Sequence, residues 1–106
     1  WLGKGSFASA LDYDSYWDRA ALREADKFTT DDIAQLEDHK KLGYFKDVPP
    51  LYGDLGEIVA GKKKGRERSD ERNIACNLGL AIDDMAVAPL VYARARERGV
   101  GTWLDL

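Results

Sequence analysis

Cysteine and histidine are scarce in this sequence of 106 residues, which contains one of each, Cys76 and His39. A single cysteine cannot close a disulfide within the chain, and one cysteine with one histidine cannot complete a zinc site by themselves. We therefore expect no internal disulfide and no metal site of that type. The simplest expected location is a reducing one, the cytoplasm.

Long apolar runs and an excess of positive charge are also lacking. The longest apolar stretch, Met85 to Leu90, is far shorter than the roughly 20 residues that cross a bilayer. No segment has the pattern of a secretory signal. The formal net charge of −3 supplies no overall attraction for a polyanion. We expect neither a membrane nor nucleic acid as a partner.

Hydrophobic residues make up 44% of the chain and charged residues 33%, which is typical of a water-soluble globular domain. The chain starts at Trp1 and enters its hydrophobic pattern without a polar leader. We therefore expect it to be a piece of a longer polypeptide.

Strands and helices are predicted to alternate in the first third of the chain. Ser6 to Leu11 is a run of small and apolar residues typical of a strand buried on both faces. A short helix from Asp18 to about Asp26 and a second strand at Lys27 to Thr30 follow. The connection between the strands is long enough for a parallel crossover, which needs about a dozen residues. The pattern predicts a βαβ unit and an α/β fold.

The remaining elements are predicted from caps, chain breakers and periodicity. Asp32 and Gln35 resemble a capping box, which begins a helix that ends at Gly43, and a loop follows around Pro49 and Pro50. The other predicted elements are a helical turn at Leu55 to Ala60, a solvated basic loop at Lys62 to Glu71, a strand at Arg72 to Leu78, a helix at Leu80 to Arg98 and a last strand at Thr102 to Leu106.

Two carboxylates, Asp12 and Asp14, directly follow the first predicted strand. Open α/β sheets bind their ligands at the carboxyl ends of the strands, so both residues are candidates for a binding or catalytic site. Their spacing alone favours ordinary loop carboxylates equally. Tyr13, Tyr16 and Trp17 lie close to them in the sequence and could line a pocket, but aromatic residues after a strand are more often packing residues, and we interpret them so.

Four other features are better explained without a functional site. The segment from Gly3 to Ala8 contains G-x-G-x-x-A, but a dinucleotide fingerprint needs a helix at its end, and a strand is predicted here, so we expect a turn. The basic residues from Lys62 to Arg68 lack interleaved aromatic residues and are interpreted as a solvated loop. Cys76 is expected to pack in the core, and His39 is expected at the surface.

Three segments of the chain resemble the ornithine cyclodeaminase and mu-crystallin family. They are ADKFTTDD at Ala25 to Asp32, DLGEIVAGKKKGR at Asp54 to Arg66, and NLGLAIDDMAVAPLVY at Asn77 to Tyr92. Their order and spacing also fit the family. The resemblance covers nearly the whole chain and implies that it is the C-terminal part of a longer family member.

The resemblance implies a Rossmann-like domain that binds NAD or NADP and is inserted in a domain for substrate binding and dimerisation. Residues 1–79 would form the second half of the nucleotide-binding domain. Residues 80–106 would supply the C-terminal helix and strand of the other domain. The implied protein is a homodimer whose substrate is a small amino acid or imine.

The activity that the resemblance implies is hydride transfer at a C–N bond of an amino acid or cyclic imine, by deamination or imine reduction. The family's cofactor fingerprint and the basic residues that hold the substrate carboxylate lie upstream, so this piece alone is expected to be inactive. One alternative is a crystallin-like protein that binds NAD(P) without turnover. A self-contained small α/β interaction domain is another.

The resemblance also assigns site residues. Asp14 matches the family's catalytic aspartate, and Asp12 is the fallback. Leu11, Asp12 and Tyr13 are implied as cofactor-binding residues, although Asp12 and Tyr13 replace family glycines and a lysine expected shortly after the aspartate is missing. Asn77 takes the place of a family serine at the nicotinamide end of the cofactor, and its amide offers both a donor and an acceptor.

Overall fold

The computed structural model of the chain describes residues 2–15 and 17–105, so the packing role predicted for Tyr16 lies outside the described residues. Strands and helices alternate along it as β1 (Phe7–Ala10), α1 (Arg19–Leu22), β2 (Lys27–Thr30), α2 (Ile33–Lys41), β3 (Leu51–Asp54), α3 (Leu55–Val59), β4 (Asn73–Cys76) and α4 (Ala81–Arg98). This order confirms the predicted α/β class.

Four parallel strands form one sheet in the order β1-β4-β2-β3. The crossover from β1 through α1 to β2 is parallel, as predicted, but β4 lies between these two strands and pairs with both. Ala10, Cys76 and Thr30 stand side by side in the register, so β1, β4 and β2 end in one row. The loops that leave these three strands therefore start at one edge of the sheet.

The hydrophobic core covers one face of the sheet. Side chains alternate between the two faces of a strand, so Phe28 of β2 and Ile74 of β4, which are paired in register, point the same way. Leu36 of α2 and Phe45 beyond it pack on them. All four side chains are at most 3% exposed. This packing holds α2 and the segment that follows it against the sheet.

β1 is less buried than the sequence predicts. Phe7 is 58% exposed, and Ala10 at the end of the strand is the residue of β1 that is buried. In the described part of the chain β1 is an edge strand, so one of its sides has no neighbouring strand. The strand that is buried throughout is β2, which pairs on both sides. The prediction of burial on both faces is therefore wrong for β1.

β3 is not predicted from the sequence. It follows Pro49 and Pro50, and two of its four residues are glycine and aspartate, types that are depleted in strands. Its ladder with β2 is what makes it a strand. Asp54 at its end then caps α3, by accepting from the N–H of Glu57 at 2.7 Å in a capping box. Long-range pairing rather than local propensity forms this element.

The segment from Lys62 to Glu71 crosses the amino end of the sheet. Most of it is exposed, as predicted, but Glu71 is only 2% exposed, so the solvated-loop prediction is wrong there. The ammonium group of buried Lys27 lies 2.8 Å from a carboxylate oxygen of Glu67 and 3.9 Å from one of Glu71. The hydrogen bond to Glu67 raises the pKa of Lys27. The basic segment therefore has a structural role at the end opposite to the candidate site.

α4 has no buried residue along its 18 positions. Gly99, with a φ of 63°, ends it in the left-handed conformation. Residues Thr102 to Asp105 do not form the predicted last strand, because no other strand lies beside them in the part of the chain that the structure describes, and Leu106 lies outside that part. None of the helices within residues 2–15 and 17–105 is long and apolar enough to span a membrane.

Candidate functional site

Three loops meet at the carboxyl edge of the sheet. The strands end in one register row, so the residues that follow them, Leu11, Asp31 and Asn77, lie along this edge. Asp12 and Asp14 come next in the loop after β1. Parallel α/β sheets bind ligands at this edge. The structure therefore brings the predicted site residues of β1 and β4 together.

The loop after β1 is open to solvent. Leu11 is 80% exposed, and Asp12 and Asp14 are also exposed. Ser15 donates a hydrogen bond from Oγ to Oδ2 of Asp12 at 2.9 Å, which ties Asp12 into its own turn. Within residues 2–15 and 17–105, no donor reaches the carboxylate of Asp14. Asp14 is thus the carboxylate that remains open to a ligand.

Tyr13 anchors this loop in an aromatic cluster with His39, Tyr44 and Phe45. Its ring centroid lies 4.8 Å, 4.9 Å and 5.0 Å from theirs, in edge-to-face arrangements. Burial raises the pKa of Tyr13, and the nearby Tyr44 and Asp14 raise it further. His39 is half-buried in this cluster, so the prediction that it lies at the surface is wrong. Because the ring of Tyr13 is engaged in packing, its main chain is the part that could contact a cofactor.

A small cavity of about 20 Å³ lies beneath the loop, with room for about one water molecule. Two carboxylates, Asp12 and Asp14, contribute to its wall. Its other lining residues are Ala10, Tyr13, Trp17, Leu22, Phe28, Phe45, Val48, Ile74 and Cys76. Small-molecule sites usually measure about 300 to 1,000 Å³. This cavity alone therefore does not enclose an amino acid.

Asn77 is held against β1 by two hydrogen bonds. Its backbone N–H donates to the carbonyl oxygen of Ala10 at 2.9 Å, and its Nδ2 donates to Oγ of Ser9 at 2.8 Å. A carboxamide has donors on its nitrogen and an acceptor on its oxygen. The bond to Ser9 therefore fixes the amide and leaves its oxygen as an acceptor at the edge of the sheet.

Asp31 was not among the predicted site residues. Its Oδ1 accepts from the N–H of Leu78 at 3.0 Å and its Oδ2 from the N–H of Gly79 at 2.8 Å. The side chain thus joins the end of β2 to the loop after β4. The sequence signal that could have found it is its place directly after a strand, the same signal that singled out Asp12 and Asp14.

Cys76 lies in the core just below this edge. It is 5% exposed, which confirms its predicted packing role. Burial raises the pKa of its thiol to about 11, with further contributions from the negative charges of Asp31 and Asp14. A thiol with this pKa stays protonated at neutral pH and is a poor nucleophile. Both carboxylates lie near the end of β4, since Asp14 shares a cavity wall with Cys76 and Asp31 accepts from Leu78 and Gly79.

The glycine-rich start of the chain forms a turn, as predicted. Gly5 has a φ of 77° and donates its N–H to the carbonyl oxygen of Asp70 at 3.1 Å. The turn at Lys4 and Gly5 comes directly before β1, so no helix begins at these glycines. As for metals, no three His, Cys, Asp or Glu side chains are grouped around a common point in the described ranges.

A parallel sheet with helical crossovers and polar loops at its carboxyl edge is the hallmark of a nucleotide-binding α/β domain. The chain is part of a Rossmann-like domain of this class. The chain belongs to the ornithine cyclodeaminase/mu-crystallin family, whose model matches residues 4–99.

Relatives of known name are similar over most of the chain. It is 33% identical to N-((2S)-2-amino-2-carboxyethyl)-L-glutamate dehydrogenase from Staphylococcus aureus, over 100% of the chain and 33% of that protein. It is 37% identical to Delta(1)-pyrroline-2-carboxylate reductase from Bacillus cereus, over 77% of the chain and 25% of that protein.

Among solved structures, the chain is similar to an archaeal alanine dehydrogenase dimer with bound NAD. The TM-score is 0.62 at 30% identity, and the match covers 98% of the chain and 35% of that protein. The chain therefore spans about a third or less of the length of these relatives.

Proposed function

We propose that the complete protein is an NAD(P)-dependent enzyme that transfers a hydride at a C–N bond of an amino acid or a cyclic imine. In one direction the amino acid is oxidised to an imine, which water can then hydrolyse in a deamination, and in the other direction the imine is reduced to the amine. Family membership and the relatives, which are named as dehydrogenases and a reductase, support this proposal. Within the chain, the observation that carries it is the exposed carboxylate of Asp14 at the carboxyl edge of the sheet, where it shares the wall of a cavity with Cys76 at the end of β4.

Asp14 is the proposed catalytic residue. A general acid or base must lie within hydrogen-bond reach of the group whose proton it transfers. The carboxylate of Asp14 has no donor from the described residues and can therefore accept from a substrate N–H or from a water molecule beside the imine carbon. Asp12, which already accepts from Ser15, is the fallback.

A nicotinamide group suits the polar atoms at this edge. The side-chain oxygen of Asn77 is an acceptor held in place through Ser9, and the main chain of Leu11, Asp12 and Tyr13 lies in the adjacent loop. These four residues, Asn77 with Leu11 to Tyr13, would hold the nicotinamide end of the cofactor. When bound, NAD or NADP supplies the hydride donor or acceptor of the reaction.

We assign residues 1–79 to the second half of the nucleotide-binding domain and residues 80–106 to the domain for substrate binding and dimerisation. α4 supports this division. A helix with apolar residues on most of its sides is normally buried, and contiguous exposed apolar surface marks an interaction site. We further propose a cytoplasmic homodimer, in line with the dimeric state named for the archaeal alanine dehydrogenase.

The proposal is tested by following oxidation of NADH and NADPH by the complete protein. Cyclic imines are offered as one set of substrates, and keto acids together with amines as the other. Turnover of at least one combination is expected. Cofactor binding without any turnover would favour the crystallin-like alternative, and the absence of both binding and turnover would refute both functions.

A further inference from the structure

We propose that Asp31 is a positioning residue that holds the loop after β4 and thereby places Asn77 for the cofactor. This inference rests on the proposed function, because its main consequence is measured as NAD(P) affinity. Asp31 itself would not touch the cofactor. It would act on residues 77–79 through their main chain.

The loop between β4 and α4 has little support from regular structure. β4 ends at Cys76 and α4 begins at Ala81, and the residue before α4, Leu80, makes no side-chain cap. Gly79 has a φ of 90°, where residues with a side chain are strained, and the space around it is open. Short glycine-containing loops without ties open easily. The side chain of Leu78 packs on the core, so it is the main chain of this loop that needs a tie from elsewhere in the fold.

Asp31 supplies that tie with both of its oxygens. The N–H groups of Leu78 and Gly79 point at separate oxygens of one carboxylate, at 3.0 Å and 2.8 Å. Thr30 adds a hydrogen bond from Oγ1 to Oδ1 at 3.2 Å. Successive backbone N–H groups that converge on one anion form a nest, and here the anion is the chain's own side chain. Hydrogen bonds to an ionised acceptor are stronger than those between neutral groups.

The tie bears directly on Asn77. Its backbone N–H and side chain are bonded to Ala10 and Ser9 of β1, while the next two residues are bonded to Asp31 at the end of β2. Asn77 is thus held from both sides, and loss of either hold would let its amide oxygen move. A misplaced ligand-binding amide weakens binding without changing the reacting groups.

The competing explanation is that Asp31 only stabilises the fold. The adjacent Asp32 provides a matched control, since it is also a half-buried aspartate whose carboxylate accepts from a backbone N–H. Its partner is the N–H of Gln35 at 2.8 Å, at the start of α2, and no hydrogen bond links Asp32 to the loop after β4. Substitution of either residue should therefore lower stability, whereas only substitution of Asp31 should weaken cofactor binding.

The experiment uses the complete protein with Asp31→Asn and Asp32→Ala as separate variants. Dissociation constants for NADH and NADPH are measured by fluorescence titration, together with Tm. Asparagine has one acceptor oxygen in place of two, so one of the two loop bonds is lost in Asp31→Asn. We expect the dissociation constant to rise about tenfold, or about 1.4 kcal/mol, in Asp31→Asn. Asp32→Ala should lower Tm, because it removes the side-chain cap of α2, and should leave the affinity unchanged.

An unchanged affinity in Asp31→Asn, or an equal loss in both variants, would overturn the inference. If Asp31→Asn does not fold, Asp31→Glu takes its place with the same expectation, since it keeps the charge and moves the oxygens by one methylene.

If the unaltered protein binds neither cofactor, the proposed function fails and the cofactor part of the inference fails with it. Hydrogen exchange at the amides of Leu78 and Gly79 then judges the tie independently. Faster exchange in Asp31→Asn than in Asp32→Ala supports the hold on the loop. Equal exchange in the two variants overturns it.

Discussion

At the scale of single residues, the catalytic assignment depends on which of two nearby carboxylates is free to accept a hydrogen bond from a substrate or water. Asp12 accepts from Ser15 at 2.9 Å, whereas Asp14 accepts from no described residue. We expect Asp14→Asn in the complete protein to lower kcat by about 10² to 10⁴-fold, the usual contribution of general acid–base catalysis. The dissociation constant of the cofactor should stay within a factor of about two. Steady-state kinetics and a binding titration check both values.

Asp12→Asn is the matched control for this prediction. It changes the same residue type two positions away and should lower kcat much less, because the carboxylate of Asp12 already accepts a hydrogen bond from Ser15 within the turn. Unchanged turnover in Asp14→Asn would contradict the assignment. A larger loss in Asp12→Asn than in Asp14→Asn would move the catalytic role to the fallback residue.

The thiol of Cys76 gives a second test at this scale. Its pKa is raised from 9.0 to about 11, mainly by burial. We expect Cys76 to resist alkylation at pH 8 in the folded protein and to react after denaturation, as followed by mass spectrometry of its peptide. A folded-state pKa that is raised in this way contributes stability below pH 9 that is lost as pH rises through 11. Rapid alkylation of the folded protein would show that Cys76 is not enclosed.

At the scale of elements, the amino end of the sheet depends on a charge network that crosses from β2 to the segment before β4. Side chains of Lys27 and Glu71 are 9% and 2% exposed. Lys27→Met would leave the buried carboxylate of Glu71 with less compensation. We expect a loss of about 3 kcal/mol in the free energy of unfolding. This is the lower end of the usual range, because Arg68 stays 3.6 Å from Glu71.

Lys64→Met is the control for the charge network, since Lys64 is 80% exposed and pairs with the same Glu67 at 3.3 Å. Exposed pairs contribute about 0 to 1 kcal/mol, so this variant should unfold at nearly the same urea concentration as the unaltered protein. If the two variants lose equal stability, the buried position of Lys27 does not matter and the network is not what holds the segment.

Elements with local signals could be predicted from the sequence, and those made by distant partners could not. Asp32 caps α2 and Gly99 ends α4, and both signals are visible in the chain itself. β3 exists through its ladder with β2, and the burial of Glu71 depends on Lys27 far upstream. The sequence around β3 gives no sign of its pairing with β2, and the sequence around Glu71 gives no sign of Lys27.

The site divides in the same way. Asp12, Asp14 and Asn77 could be placed at one edge, because the carboxyl ends of parallel strands meet there. The place of Asp31 after a strand marks it as an edge residue, but its role could not be predicted, because its partners Leu78 and Gly79 lie 47 and 48 positions away and are main-chain groups that no residue type reveals. The sequence therefore predicts which side chains reach the edge and not which of them hold it together.

At the scale of the whole molecule, the chain is more extended than a closed domain. Its radius of gyration is 17.2 Å, whereas a compact domain of this length has about 13 Å. Among the described residues, α4 is a long helix with no buried position. Its exposed large apolar side chains are Ile82, Met85, Val87, Leu90, Val91 and Tyr92. Contiguous apolar surface of this kind is normally covered, which is consistent with a chain that spans about a third of its relatives.

Whether the rest of the complete protein packs on α4 can be tested at Leu90, which is 51% exposed in this chain. If the rest of the protein packs on α4, Leu90→Asp places a carboxylate in an apolar contact and should lower the free energy of unfolding by about 3 kcal/mol or more. Val59→Asp is the control, because Val59 is 88% exposed at the end of α3 and should cost no more than about 1 kcal/mol. Chemical denaturation of the complete protein measures both, and equally small losses would mean that α4 stays exposed there and does not join a second domain.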